Sequence, residues 1–162
     1  MTYLKSSESR YLYDGLSFTS KCDSKDDIID LLGLDETLSW EVTYGAKGFK
    51  QRMYFLGISI HFDTDRDDIN VWCEISGQGC RAFEQYGTGD YDSVFRWIMD
   101  EPSDRHITRL DVAYDDRDTN LIDLDKIWYA LERGEYVSKS SYYREDSSSG
   151  ARTIYLGSRH SE

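Results

Sequence analysis

Within its 162 residues the chain carries 31 acidic and 19 basic side chains, a net charge of −12, with 39% hydrophobic and 14% aromatic content. Thirteen tyrosines and four tryptophans exclude a disordered polymer, and the length suits a single domain over residues 1–162. Tight binding of bare duplex DNA needs an excess of lysine and arginine that this chain lacks, so the charge favours a basic protein surface as partner, or simple solubility.

No apolar run is long enough to span a bilayer, and the first residues (MTYLKSS) lack the apolar segment of a signal peptide. Three cysteines, Cys22, Cys73 and Cys80, are an odd number without metal-like spacing, which suggests reduced thiols in a cytoplasmic protein.

In chain order, Tyr11 to Lys21 mixes aromatic and β-branched residues and predicts a first strand or hairpin arm. Tyr11, Tyr13 and Phe18 on it can pack inward or project toward a partner. Ser24 caps a helix with Asp26 and Asp27 in its first turn, Ile28, Ile29, Leu31 and Leu32 as its apolar stripe, and Gly33 as its stop. Ser39 to Tyr44 alternates. Gly45 to Gly48 reads as a turn into one long strand, Arg52 to Phe62, and Ile69 to Ser76 supplies another, giving a β-meander with one buried face.

Asp63 to Asp68, with Glu74 at the twelfth place, has acids where a calcium loop would. Asp68 stands where such a loop needs glycine, and the flanks are strand-like, so an acidic hairpin tip is the better account. Gly77 to Glu84 is glycine-rich and can open a short helix, but it lacks the pattern of a phosphate loop. Asp90 to Met99 predicts a helix with Val94, Phe95 and Ile98 inward and Pro102 beyond its end. Leu121 to Arg133 predicts another, with Leu124, Ile127, Trp128 and Leu131 at helical spacing. Residues 138–150 are serine-rich and read as a flexible loop, and Arg152 to Gly157 as a last strand.

The stretch Ile107 to Asp116 stands out. Leu110, Val112 and Tyr114 fall on one strand face, apolar and suited to a core, while Arg109, Asp111, Ala113 and Asp115 fall on the other. Carboxylates two apart on a strand project the same way, ~6.5 Å apart, close enough to share a cation through water. The alternative is a sheet-edge strand with a solvated outer face, in which Arg109 and Asp111 form an ion pair of little energetic value.

The ordered motifs DGLSFT, W-x-V-x-Y-G-x-x-G-F, G-I-S-I, SGQGCRAFE, ITRLDVAYDD and TIYLGSRHS resemble the Rep_trans replication-initiation group, which joins plasmid rolling-circle initiators to conjugative relaxases. The resemblance runs over nearly the whole chain. It implies an α+β domain of diverged HUH type, an antiparallel sheet with helices packed on one face. It also implies strand nicking by a tyrosine nucleophile with a divalent metal, Mg²⁺ or Mn²⁺. Carried over by motif, Glu84 and Asp111 are the acidic catalytic and metal positions, with Asp115 and Asp116 next. Hard oxygen ligands suit such ions. Arg81, Arg109, Tyr11 and Tyr13 are the candidate binding residues. His61, His106 and His160 are scattered, so a His-x-His site is absent.

The family's tyrosine lies in a motif like R-x-Y-D/E-K, after the G-S-x-x-S signature, and no tyrosine here occupies it. Tyr142 and Tyr143 fall in the serine-rich loop, and Tyr155 in a strand. Tyrosine-dependent nicking is therefore not expected of this chain. The leading expectation is a mobile-element inhibitor on a truncated initiator fold. It would act as an anti-CRISPR protein on a basic host nuclease or its guide RNA, with metal-dependent hydrolysis as an option. The alternative is the N-terminal part of a rolling-circle initiator or relaxase that nicks DNA. A third reading leaves the family residues purely structural.

Overall fold

The computed structural model describes residues 10–35, 37–116, 122–135, 143–148 and 151–156. They divide between two compact units, one from Tyr11 to Tyr114 and one comprising Met1–Arg10 with Asp115–Glu162.

In the first unit each strand follows from local pattern and each break from a residue that cannot continue it. Strand β1 is Arg10–Ser20, with Leu16 and Phe18 fully buried. Helix α1, Lys25–Leu32, begins with a reciprocal capping box between Ser24 and Asp27 and ends at Gly33 with φ of 59°, so its terminal donors and acceptors are satisfied as expected. Strands β2 (Glu41–Tyr44), β3 (Phe49–Phe55), β4 (Ile58–Thr64) and β5 (Val71–Ser76) form the meander.

The single strand expected over Arg52 to Phe62 is in fact a hairpin. Leu56 and Gly57 both take positive φ, 42° and 92°, the signature of a two-residue loop matched to strand twist. The unbroken apolar run masked the turn.

Helix α2 (Gly77–Tyr86) starts on the Ser76 cap, and α3 (Tyr91–Asp100) on Asp90. Strand β6 is Arg105–Asp115. The sheet order is β2-β3-β4-β5-β1-β6, with every registered pairing among β1 to β5 antiparallel.

Register assigns the two faces. Leu16 pairs with Ile75, Phe18 with Cys73, Ile60 with Cys73 and Ile58 with Ile75. These residues form one buried cluster with Ile28, Ile29 and Leu32 of α1, Cys80 and Phe83 of α2, and Val94 and Ile98 of α3. Helices α1 and α2 pack against β4, and α2 also meets β5. Burying each such side chain contributes about 1.5–3 kcal/mol, so this layer dominates the fold's stability.

Strand β6 departs from expectation. Leu110 and Val112 were assigned to a core, yet they are 44% and 60% exposed. The core gathers over β4, β5 and β1, and β6 ends the sheet beyond it. Its first residue is nevertheless firmly held, because Arg105 pairs with Asp23 at 2.7 Å and donates to the Trp97 carbonyl at 2.7 Å.

In the second unit, α4 (Leu124–Glu132) is capped by Asp123 and lies against β8 (Ala151–Leu156). Strand β8 pairs antiparallel with β7, Tyr143–Ser148. Six residues of the supposed loop over 138–150 are thus a strand. The β-branched and aromatic run opposite, with Thr153, Ile154 and Tyr155, supplies a ladder partner that serine content concealed. Tyr142 lies outside the described residues. Among those described, no helix is long and apolar enough to cross a membrane. The three cysteines are free, and burial pushes the Cys80 thiol pKa upward.

Candidate nucleic-acid interface

The sheet's second face, turned away from the core cluster, is built by the alternate residues of the same strands. Ser17 pairs with Glu74 and Thr19 with Trp72 across β1 and β5, while Ser59 pairs with Glu74 and His61 with Trp72 across β4 and β5. Arg52 and Tyr54 of β3 sit opposite His61 and Ser59. A cleft of about 630 Å³ lies on this face, lined among others by Lys47, Arg66, Trp72, Glu74, His106 and Arg109. A smaller cavity of about 310 Å³ shares Ser17, Glu74 and Arg109 and reaches Asp14, Tyr54 and Ser59. Three permanent cations and a histidine face the larger cleft against Asp68 and Glu74, in a molecule whose balance is strongly acidic.

Trp72 is the fixed centre of the cleft. Its indole N–H donates to Ser17 Oγ at 2.8 Å, and the Thr108 hydroxyl lies 2.8 Å from the same oxygen, tying β5, β1 and β6 together. His61 stacks on the ring at 4.4 Å with an interplanar angle of 20°, and the Lys47 ammonium lies 4.2 Å from the ring centroid. Phe49, Ile69 and Trp72 make a small second core.

His61 is 2% exposed. Its Nδ1 accepts the Ala46 N–H at 3.3 Å, which leaves the neutral ring's proton on Nε2, facing Glu74 Oε2 at 3.5 Å. Burial pulls the His61 pKa down, and the opposing pull of Glu74 does not restore it. The ring is therefore neutral at neutral pH.

The residues singled out in the sequence are distributed as follows. Arg109 Nε donates to Asp111 at 2.8 Å, and this contact holds the guanidinium pKa above its ordinary value. A Cβ on Gly15 would come within 2.7 Å of Asp111 Oδ2. Gly15 lies in register with Ser76, two places from the Ser17–Glu74 pair, so Asp111 rests against the second face.

Glu84 is elsewhere. It projects from α2, whose Cys80 and Phe83 enter the core on the first face, and it pairs with Arg81 at 2.8 Å. Arg81 in turn donates to the Tyr13 carbonyl at 2.7 Å. Glu84 is thus carried by a covering helix and Asp111 by the edge strand. Asp115 ends β6, and Asp116 Oδ2 accepts the Ile122 N–H at 2.9 Å. Among the described residues no three His, Cys, Asp or Glu side chains gather as a metal cage.

Tyr13 packs inward on Tyr91 at 4.5 Å and Phe95 at 5.5 Å, whereas Tyr11 is 78% exposed and meets the Tyr114 ring at 4.8 Å.

Lys47, His61, Trp72, Ser17 and Thr108 were not among the sequence candidates. A signal existed in the alternation of ISIHF and VWCEIS, where polar and aromatic residues occupy every non-core place. What that pattern could not give is the convergence of segments from Ser17 to Arg109.

Residues 12–98 match the family model of the rolling circle replication initiation protein N-terminal domain. The chain is 27% identical over 160 residues to a candidate DNA relaxase, NicK, of Bacillus subtilis (strain 168), the match covering 93% of this chain and 45% of that protein. It therefore spans about half the length of the curated relative. A solved rolling circle replication initiator protein from Geobacillus stearothermophilus superposes with a TM-score of 0.79 at 26% identity, covering 95% of this chain and 64% of that one. These likenesses favour the initiator or relaxase reading over the anti-CRISPR inhibitor, on which none of them bears. Asp111 and Arg109 lie beyond the span of the family model.

Proposed function

The chain belongs to the rolling circle replication initiation protein N-terminal domain family, and on that premise we propose that it is the DNA-positioning domain of a plasmid or mobile-element initiator or relaxase of the Rep_trans group, receiving one DNA strand in the cleft of the second face. The observation that carries this reading is the gathering of Lys47, Arg66 and Arg109 around Trp72 in a concave site on a molecule of net charge −12. Cations placed there attract backbone phosphates locally despite the acidic whole. An aromatic floor accepts bases of any sequence. A cavity of some 630 Å³ has the size of a small-ligand site and suits nucleotide units of a single strand.

The proposal is one of binding and orientation in the cytoplasm. Binding and orientation require neither Mg²⁺ or Mn²⁺ at Glu84 and Asp111 nor tyrosine attack. An inhibitor directed at a basic nuclease or its guide RNA would rest on net charge alone.

Fluorescence anisotropy with a labelled oligonucleotide, offered single-stranded and as a duplex across a salt series, tests the reading. Single-stranded DNA is expected to bind more tightly. Arg66→Ala and Arg109→Ala should each flatten the slope of log K against log salt by about 0.7, the value for one phosphate on a single strand. Equal affinity for both forms, or slopes untouched by both substitutions, would overturn it.

A further inference from the structure

We propose that Trp72 and Lys47 form a reader for one unpaired nucleotide, in which a base displaces the Lys47 ammonium from the indole face and the displaced ammonium takes the adjoining phosphate. This rests on the single-strand reading above and specifies how a strand is told from a duplex.

The two halves of the device differ in how firmly they are held. The Trp72 ring is locked: its N–H is bound to Ser17, His61 is stacked on it, and only a small part of it is exposed. Lys47 sits on a short turn closed by the Gly45 N–H to the Lys50 carbonyl at 3.1 Å and the Phe49 N–H to the Ala46 carbonyl at 3.0 Å. Its own φ is 52°, a left-handed conformation rare for a lysine, so the turn aims the side chain toward the ring at a conformational cost. Beyond that backbone the lysine is exposed, a flexible stem ending in a point charge.

The contact between them is a cation–π attraction, which opens without breaking a hydrogen bond between the two. Arg66 is already engaged by Asp68 at 2.6 Å and Arg109 by Asp111 at 2.8 Å, so each meets a phosphate only in competition with a carboxylate. Lys47, held by a π face, exchanges that for a phosphate and leaves the face to a base. Stacking of a base on an aromatic ring outweighs an exposed cation–π contact. A base inside a duplex has both faces occupied and cannot enter, so the step discriminates by pairing state rather than by sequence.

Two strands of equal length and charge provide the test: a single-stranded DNA oligonucleotide and one made entirely of abasic residues. With the wild-type chain, the intact strand should bind about tenfold more tightly than the abasic one and quench tryptophan emission. Trp72→Phe should abolish most of that quench while Trp40, Trp97 and Trp128 still report a folded chain. Lys47→Ala, a surface change that leaves folding intact, should lower the salt slope by about 0.7, and Lys47→Arg should retain it. Equal binding of intact and abasic strands by the wild type, or a salt slope unchanged in Lys47→Ala, would overturn the reader while leaving single-strand binding in place. Failure to bind either strand would instead remove the function on which it rests.

Discussion

Arg105 shows how much one side chain can organise. Its guanidinium donates to both Asp23 carboxylate oxygens at 2.7 and 2.9 Å and to the Trp97 carbonyl, and it lies 3.9 Å over the Trp97 ring. Burial pushes the Asp23 carboxyl upward, but hydrogen bonds from Arg105, Ser20 and Cys22 prevail and hold it below the usual carboxylate range. Both partners are largely shielded, so removing one leaves the other charge poorly compensated. Arg105→Ala should destabilise the fold by about 3 kcal/mol in urea unfolding, several times the value of a surface pair.

His61 carries a pH signature of definite sign. Burial holds its folded pKa below the ordinary histidine value of about 6.5, so the unfolded chain binds the proton more readily. The stability it contributes is whole above that value and is lost as pH falls through it toward the depressed folded pKa. Urea midpoints should therefore drop more steeply for the wild type than for His61→Gln between about pH 7.5 and pH 5.5. Parallel slopes would show that the ring titrates normally.

Among the elements, the β3–β4 hairpin depends on Gly57. A Cβ there would lie 2.6 Å from the Gly79 nitrogen and 2.6 Å from Ser76 Oγ, with φ at +92°. Backbone conformation and collision with the start of α2 both oppose a side chain, so Gly57→Ala should cost about 2–4 kcal/mol. Gly134 is the control. Its φ is +67° with nothing within 4 Å, so Gly134→Ala should cost only the conformational part, about 1 kcal/mol. Similar losses at both sites would refute the close approach.

These elements also mark where sequence reasoning succeeds. The Ser24 cap and the Gly33 stop were legible because capping uses neighbours in the chain. The Leu56–Gly57 turn was missed because its residues continue an apolar run, and β7 because its stability comes from a partner strand. At β6 the alternation was read correctly and its burial was not, since a strand's pattern does not reveal what covers it.

Across the molecule, architecture was more accessible than the site. The ordered motifs led to an α+β sheet with helices on one face, as found. Glu84 lies on the helix that the glycine-rich stretch opens and Asp111 on an edge strand, and nothing local could show which partners each meets. The cleft was harder still, because it joins Ser17, Lys47, Trp72 and Arg109 from four separate segments. The overall charge could not point to the cleft, since an average over 162 residues conceals a local gathering of cations.

Gly15 gives this arrangement a hinge of one atom. The bare α-carbon on β1 is what lets the Asp111 carboxylate lean in and engage Arg109. A methyl group in that gap would push the acid aside and loosen its hold on the guanidinium, turning a self-neutralised pair into an available positive charge at the rim. The smallest residue in the strand thus governs how strongly the neighbouring cavity attracts anions, without touching one itself.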